Sequence, residues 1–249
     1  MSKYALKIVE IEINSQCNRK CKYCPNSISE RKHKGDMNFS LFLTIMKQLK
    51  EIKFEGRISF HFYGEPFLSK NLNSFVKIAK HCLPNARQVI YSNGDFITPQ
   101  KIIELFNNGI DLMVITNHSG RNIEDIILKT NASYRNRIVL LTPENLNLTN
   151  RGGLLKCSNS NSYLNEPCYI PSNHIIITVN GNVLPCYEDY NETLVFGNVN
   201  RSTIKEIWNS SSFNELRSKL EKGMRSSIKL CSKCNNTSCK EDKQYDYVL

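Results

Sequence analysis

Nothing at the start of this 249-residue chain reads as a targeting segment, since Met1-Ser-Lys-Tyr-Ala-Leu-Lys7 lacks the apolar h-region of a secretory signal. No stretch reaches the roughly 18 consecutive uncharged apolar residues that a membrane span needs. A cytoplasmic protein without a membrane partner is expected. Long basic runs are missing as well: the net charge is +10, yet the lysines and arginines are scattered, and Lys47, Lys50, Lys53 and Lys101 fall at solvated helix positions. A nucleic-acid partner is therefore not expected. Internal repeats are absent, and low complexity is confined to an Asn/Ser-dense stretch between Asn145 and Ser162. No disordered class fits either, because 40% apolar content suffices for a core in one large α/β domain or in one domain with a small appendage.

Cysteine, by contrast, is plentiful, with ten in the chain. A cytosolic protein keeps its thiols reduced, so this number argues for metal or redox chemistry rather than a disulfide framework. The run Cys17-Asn-Arg-Lys-Cys21-Lys-Tyr-Cys24 offers three thiolates where a cubane iron–sulfur cluster needs four ligands. One iron is then left open to a small molecule, as a catalytic centre requires and a four-thiolate electron carrier does not allow. A zinc knuckle would need a second Cys or His pair nearby, and only His33 follows within fifteen residues of Cys24.

From Lys7 to Thr142, β-rich runs alternate with helical patterns. Strands are expected at Ile8 to Ile13, Arg57 to Phe62, Gln88 to Ser92, Leu112 to Thr116 and Ile138 to Thr142. Helices are expected at Ser40 to Ile52, with Ser40 as cap, and at Leu72 to Cys82, Pro99 to Asn108 and Asn122 to Lys129. Repeated βα units imply a parallel sheet with helices outside. Five strands are too few to close a barrel, so the expected fold is α/β, an open and abbreviated (β/α) partial TIM barrel with its active face at the strands' C-terminal ends. Cys17, Gly64-Glu65-Pro66, Ser92-Asn-Gly94 and Asn117-His118 all fall at such ends.

Near Pro143 the pattern changes, giving expected units of residues 1–145 and 146–249. In the second, His174 to Val179 and Asn182 to Leu184 read as a β-hairpin across Asn180-Gly181, a pair suited to a type I′ turn. Thr203 to Glu221 reads as one helix burying Ile204, Ile207, Trp208, Leu216 and Leu220. Cys168, Cys186, Cys231 and Cys234 form a second thiol set. Spacing alone leaves zinc and a fully ligated iron–sulfur cluster both open. Cys82 reads as a core thiol, while Cys157 and Cys239 are unassigned.

The first triplet, with an aromatic residue before its last Cys, resembles the signature of the radical S-adenosylmethionine (SAM) enzymes. Cys168-x12-Gly181-x4-Cys186 followed by Cys231-x2-Cys234 is similar to their SPASM/twitch extensions. Asn14-Ser-Gln-Cys-Asn-Arg19, Tyr23-Cys-Pro-Asn-Ser27, Arg57-Ile-Ser-Phe-His-Phe-Tyr-Gly-Glu-Pro66, Ile90-Tyr-Ser-Asn-Gly-Asp95, Asn150-Arg-Gly-Gly153, Glu188-Asp189 and Gln244-Tyr-Asp-Tyr-Val-Leu249 narrow the resemblance to the aminocyclitol-oxidising members. The middle, from His118 to Thr149, matches poorly.

The resemblance implies two [4Fe-4S] clusters, SAM on the open iron of the Cys17/Cys21/Cys24 cluster, and an auxiliary cluster on Cys168, Cys186, Cys231 and Cys234. It also implies a flavodoxin- or ferredoxin-type electron donor and an aminocyclitol alcohol that loses a hydrogen atom to a 5′-deoxyadenosyl radical and an electron to the auxiliary cluster. Glu65 suits the cationic amino group of SAM, Gly64 a close backbone approach, Tyr23 the adenine, and Ser92 the ribose or carboxylate. Arg151 suits the substrate hydroxyl, which it can orient but not deprotonate, so another group must take the proton; the alternative is an exposed loop Arg. Tyr63 and Tyr91 suit the ring or simply fill the core, and Glu188 suits the substrate ammonium or is a solvated loop residue. A ribosomal peptide is the competing substrate class, although the first strand begins so near Met1 that no peptide-recognition domain is expected before it.

Overall fold

Alternate residues of the central strands have opposite characters, and this parity sets the architecture. In the computed structural model, which describes residues 3–156 and 165–236, the parallel strands are β1 (Ile8–Ile11), β2 (Arg57–Ser59), β3 (Arg87–Ser92), β4 (Leu112–Thr116), β5 (Ile138–Leu141) and β6 (His174–Ile177). Two antiparallel strands, β7 (Asn182–Leu184) and β8 (Gly197–Asn198), extend the sheet to the order β5-β4-β3-β2-β1-β6-β7-β8. Val9, Ile11, Ile58, Phe60, Ile90, Met113, Ile115, Ile175 and Ile177 share one core with the helices. The other parity turns Glu10, Arg57, His61 and Tyr91 toward a common cavity. The sheet stays open, as expected, but the hairpin does not stand apart from it: β6 pairs in parallel with β1, Ile8 against His174 and Ile11 against Ile177.

The covering helices are α1 (Phe39–Glu51), α2 (Leu72–Cys82), α3 (Pro99–Asn108), α4 (Ile123–Leu128), α5 (Ala132–Arg135), α6 (Ile170–Asn173), α7 (Ile204–Asn209) and α8 (Ser211–Glu221). Three local expectations need correction. The cap of α1 is Asn38, whose side chain accepts the Ser40 N–H at 2.9 Å. The expected helix from Thr203 to Glu221 breaks at Ser210, which ends α7 and caps α8 by accepting from Phe213 N–H; its five expected buried residues are all buried. Only Gly181 in the hairpin turn has positive φ, at 88°, and its N–H donates to the Thr178 carbonyl. A type I′ turn needs two such residues, so the connection is the longer bulged kind. Cys157, Cys239 and residues 244–249 lie outside the described residues.

Candidate active site

Cys17, Cys21 and Cys24 lie on the loop leaving β1, all partly exposed, where the chain stops pairing and can wrap around a ligand. Neighbouring loops hold that wrap in shape. Arg19 makes a two-pronged ion pair with Asp95, at 2.5 and 2.6 Å, and Asn93 Nδ2 donates to Asn18 Oδ1 at 2.8 Å and toward Cys17 Sγ at 3.9 Å. Asn93 and Asp95 were not singled out as site residues, although they follow Ser92 within a quoted stretch. Tyr23 stacks on His118 and shares a 2.9 Å hydrogen bond with its Nδ1.

Cys168, Cys186, Cys231 and Cys234 line one enclosed cavity with Ile170, Leu194, Leu216, Leu220 and Leu230. The Glu188 N–H donates to Cys186 Sγ and the Asn236 N–H to Cys234 Sγ, each at 3.4 Å. Burial pushes the Cys186 thiol well up and the Cys234 thiol up to about 12, with Glu188 adding to both. Thiolates become favourable in such apolar surroundings only beside metal charge. Four thiols around an apolar cage, with N–H donors aimed at sulfur, suit a fully ligated iron–sulfur cluster. The partly open Cys17/Cys21/Cys24 loop suits a cluster with one accessible iron.

Between these thiol sets lies a cavity of about 350 Å³ lined by Tyr23, Cys24, Tyr63, Gly64, Tyr91 and Arg151, joined by Glu10, Arg57, His61, Phe62 and Tyr187. Six residues expected at the active site therefore meet in one place. Arg151 reaches over the Tyr63 ring, its carbon 5.8 Å from the centroid, with Nη1 3.9 Å from Glu188 Oε1. Tyr63 donates to the Tyr187 carbonyl at 2.7 Å, and Tyr91 accepts from Arg57 at 3.3 Å.

Three expected residues are placed differently. Glu188 is buried against the thiol cage, accepting from Thr149 Oγ1 and Asn236 Nδ2, both at 2.9 Å, and does not line the central cavity. Glu65 and Ser92 bond to each other at 2.9 Å; Glu65 also accepts from the Asn93 and Phe67 N–H groups, and Ser92 accepts from the Gly94 N–H. Burial raises the Glu65 carboxyl while those donors oppose it. Gly64 is required by the protein's own backbone, since a Cβ there would lie 1.9 Å from the Asn14 carbonyl oxygen.

Sequence reasoning passed over Glu10, Arg57 and His61. Their signal was the charge at alternate positions of strands otherwise apolar enough to be buried on both faces. Glu10 Oε1 lies 3.6 Å from His174 Nε2. Burial alone would raise the Glu10 carboxyl, but His174, His61 and Arg57 outweigh it and hold it at about 2. An anionic carboxylate therefore faces the cavity.

Comparison with known proteins agrees with this geometry. Residues 11–146 match the Radical SAM superfamily, and residues 168–235 match SPASM, an iron-sulfur cluster-binding domain. The chain is 44% identical over 247 residues to the S-adenosyl-L-methionine-dependent 2-deoxy-scyllo-inosamine dehydrogenase of Niallia circulans, covering 97% of this chain and 98% of that protein. Its structure matches BtrN in complex with AdoMet and 2-DOIA at a TM-score of 0.92 and 42% identity, covering 99% of both chains. BtrN in an open conformation matches at 0.79 and 39%, covering 99% of this chain and all of the other. AnSMEcpe with bound AdoMet, at 0.56 and 14%, shares the fold alone; 96% of this chain and 94% of that one are covered. On this footing the chain belongs to the radical SAM superfamily and carries the family's SPASM iron–sulfur extension, with two [4Fe-4S] clusters and SAM as its cofactors.

Proposed function

We propose that this enzyme oxidises a secondary alcohol of an aminocyclitol, converting 2-deoxy-scyllo-inosamine to the corresponding amino-ketone in aminoglycoside biosynthesis. The observation that carries the reading is the shared cavity: Cys24 of the open thiol set, Arg151 and an ionised Glu10 face one space of about 350 Å³. When bound, SAM supplies a hydrogen-atom acceptor and the auxiliary cluster an electron acceptor. Arg151 orients the alcohol through its planar fork and steadies negative charge on oxygen. Glu10, the carboxylate among the cavity's described lining residues, pairs with the substrate ammonium, the role first assigned to Glu188. Tyr63 and Tyr91 wall the ring.

Tyr23, Gly64, Glu65 and Ser92 make up the SAM side. Glu65 there acts through its remaining lone pairs and Ser92 as an acceptor, because the Ser92 proton is already directed at Glu65. Cys17, Cys21 and Cys24 hold the open cluster, and Cys168, Cys186, Cys231 and Cys234 the auxiliary one. Residues 1–145 form the SAM-binding unit and 146–249 the auxiliary unit, in a cytoplasmic enzyme served by a flavodoxin- or ferredoxin-type donor. Among the described residues no helix is long and apolar enough to cross a membrane.

The test uses 2-deoxy-scyllo-inosamine deuterated at the reacting carbinol carbon, with SAM and a low-potential reductant. Amino-ketone and deuterated 5′-deoxyadenosine should form in equal amounts. Turnover without deuterium in 5′-deoxyadenosine would exclude abstraction at that carbon, and inactivity of loaded enzyme would exclude this cyclitol.

A further inference from the structure

Turning a carbinol into a ketone removes a hydrogen atom, an electron and a proton. The bound cofactors accept the first two, and the cavity wall must accept the third. Arg57 and Arg151 are cationic throughout the working range and cannot act as bases. Glu10 is held as a weakly basic anion against His174. Cys24 ligates iron. The phenols already have partners: Tyr23 with His118, Tyr63 with the Tyr187 carbonyl, Tyr91 with Arg57, and Tyr187 with Asn236. A protonated phenol is in any case a poor proton acceptor.

One lining residue is left. His61 packs its ring 4.5 Å from that of Tyr91, centroid to centroid, and its Nδ1 is enclosed with no hydrogen-bond partner. A buried ring nitrogen without a partner calls for explanation, because most such atoms are satisfied. We propose that His61 is the proton acceptor of the alcohol oxidation, taking the hydroxyl proton on its imidazole ring. This assignment rests on reading the cavity as the alcohol-oxidising site. The step balances: the substrate C–H gives its hydrogen atom to the adenosyl carbon, the O–H gives its proton to His61, one electron leaves to the auxiliary iron–sulfur centre, and the C=O π bond forms.

The surroundings suit the role. The titratable and charged groups around the ring are Glu10 from β1, Arg57 from β2, Tyr91 from β3 and His174 from β6. Burial holds the imidazole below its ordinary value, with Glu10 opposing and Arg57 and His174 reinforcing the shift. Burial thus favours the neutral ring before the reaction. Once it is protonated, the Glu10 carboxylate is its counter-charge. Proton transfer to a positioned side chain is worth about 10²- to 10⁴-fold in rate.

The test compares wild-type holoenzyme with His61→Gln and His61→Asn, both loaded with iron and sulfide. Ketone formation should fall about 10²-fold or more in each, while iron content is kept and cyclitol affinity, measured by calorimetry on the same loaded proteins, stays within about threefold. The acid limb of the wild-type pH profile should vanish, and added imidazole should restore part of the ketone yield. An unchanged rate and profile in either iron-replete variant overturns the assignment. So does a loss confined to affinity, which would make His61 a pocket wall. A histidine-labelled NMR titration of the wild-type holoenzyme reads the ring without turnover, and a ring already protonated between pH 7 and 8 also overturns it. Wild-type enzyme that makes no ketone would instead sink the alcohol-oxidising reading itself.

Discussion

Arg151 sits in backbone that a non-glycine residue rarely adopts, at φ 51°, followed by Gly152 at 63° and Gly153 at 87°. Such a conformation costs of order 1–3 kcal/mol and persists only where the surroundings enforce it. Here they do: a Cβ on Gly152 would lie 2.5 Å from Leu230 Cδ1, and one on Gly153 would lie 2.6 Å from Lys233 Cβ, so the turn is pressed against the segment bearing Cys231 and Cys234. Two adjacent glycines let the turn pack this closely, and the packing fixes where the guanidinium can reach. Arg151→Lys keeps the charge and removes the planar fork. Iron content and uncoupled SAM cleavage should survive, while ketone formation falls by about 10- to 100-fold, the scale of misplacing a reacting group by an ångström. Unchanged coupling between 5′-deoxyadenosine and ketone would return Arg151 to an ordinary loop residue. The cysteines and Arg151 could be singled out in the sequence because their spacing or neighbours suggest chemistry. His61 and Glu10 were not, since a polar residue in a strand acquires meaning only once the sheet shows which face is the cavity.

Single elements explain how the two thiol-bearing segments stay together. Arg31, on the loop beyond Cys24, is buried with Glu12 beyond β1 and Glu192 beyond Cys186. Its Nε and Nη2 donate to the Glu12 carboxylate at 2.9 and 3.1 Å, Nη2 also to Glu192 at 3.1 Å, and Nη1 to the Tyr190 carbonyl. Val179 N–H and Asn182 Nδ2 complete the two carboxylates. Burial raises the Glu12 carboxyl and Arg31 counters it. Removing the cation strands two buried anions, which typically costs 3–5 kcal/mol. Arg31→Met should therefore lower the melting temperature of the loaded enzyme by several degrees, and Arg31→Met combined with Glu12→Gln should recover part of the loss; equal melting of wild type and single variant would make the clamp energetically idle. None of this was legible, because Arg31 and Glu192 lie 161 residues apart in sequence. The helices were easier. Thr98 and Pro99 start α3 as their chemistry dictates, whereas the break at Ser210 was masked by apolar residues that keep helical spacing on both sides of it.

Across the whole molecule, one sheet joins the two thiol sets. The open set leaves the end of β1, Cys186 follows β7, and β6 links those strands, so redox partners sit on a continuous hydrogen-bonded frame. The α/β alternation made the parallel core readable, but nothing local in His174 to Ile177 shows that it pairs with residues more than 160 positions earlier. The frame should let the two sets be emptied separately. Anaerobically reconstituted enzyme should hold about eight iron, from one three-thiolate and one four-thiolate cubane. Cys186→Ala should lose the auxiliary share, because Cys186 lines the apolar cage and Ala offers no ligand in its place. Reductive SAM cleavage should persist in that variant while ketone collapses, since the carbinol's electron has lost its acceptor. Replacing Cys17, Cys21 and Cys24 together should give the reverse, with one cluster retained and SAM left intact. Iron analysis with product quantification decides the matter: four iron plus one zinc in the wild type, or full ketone yield from Cys186→Ala verified to lack its cluster, would remove the auxiliary site from the electron's path.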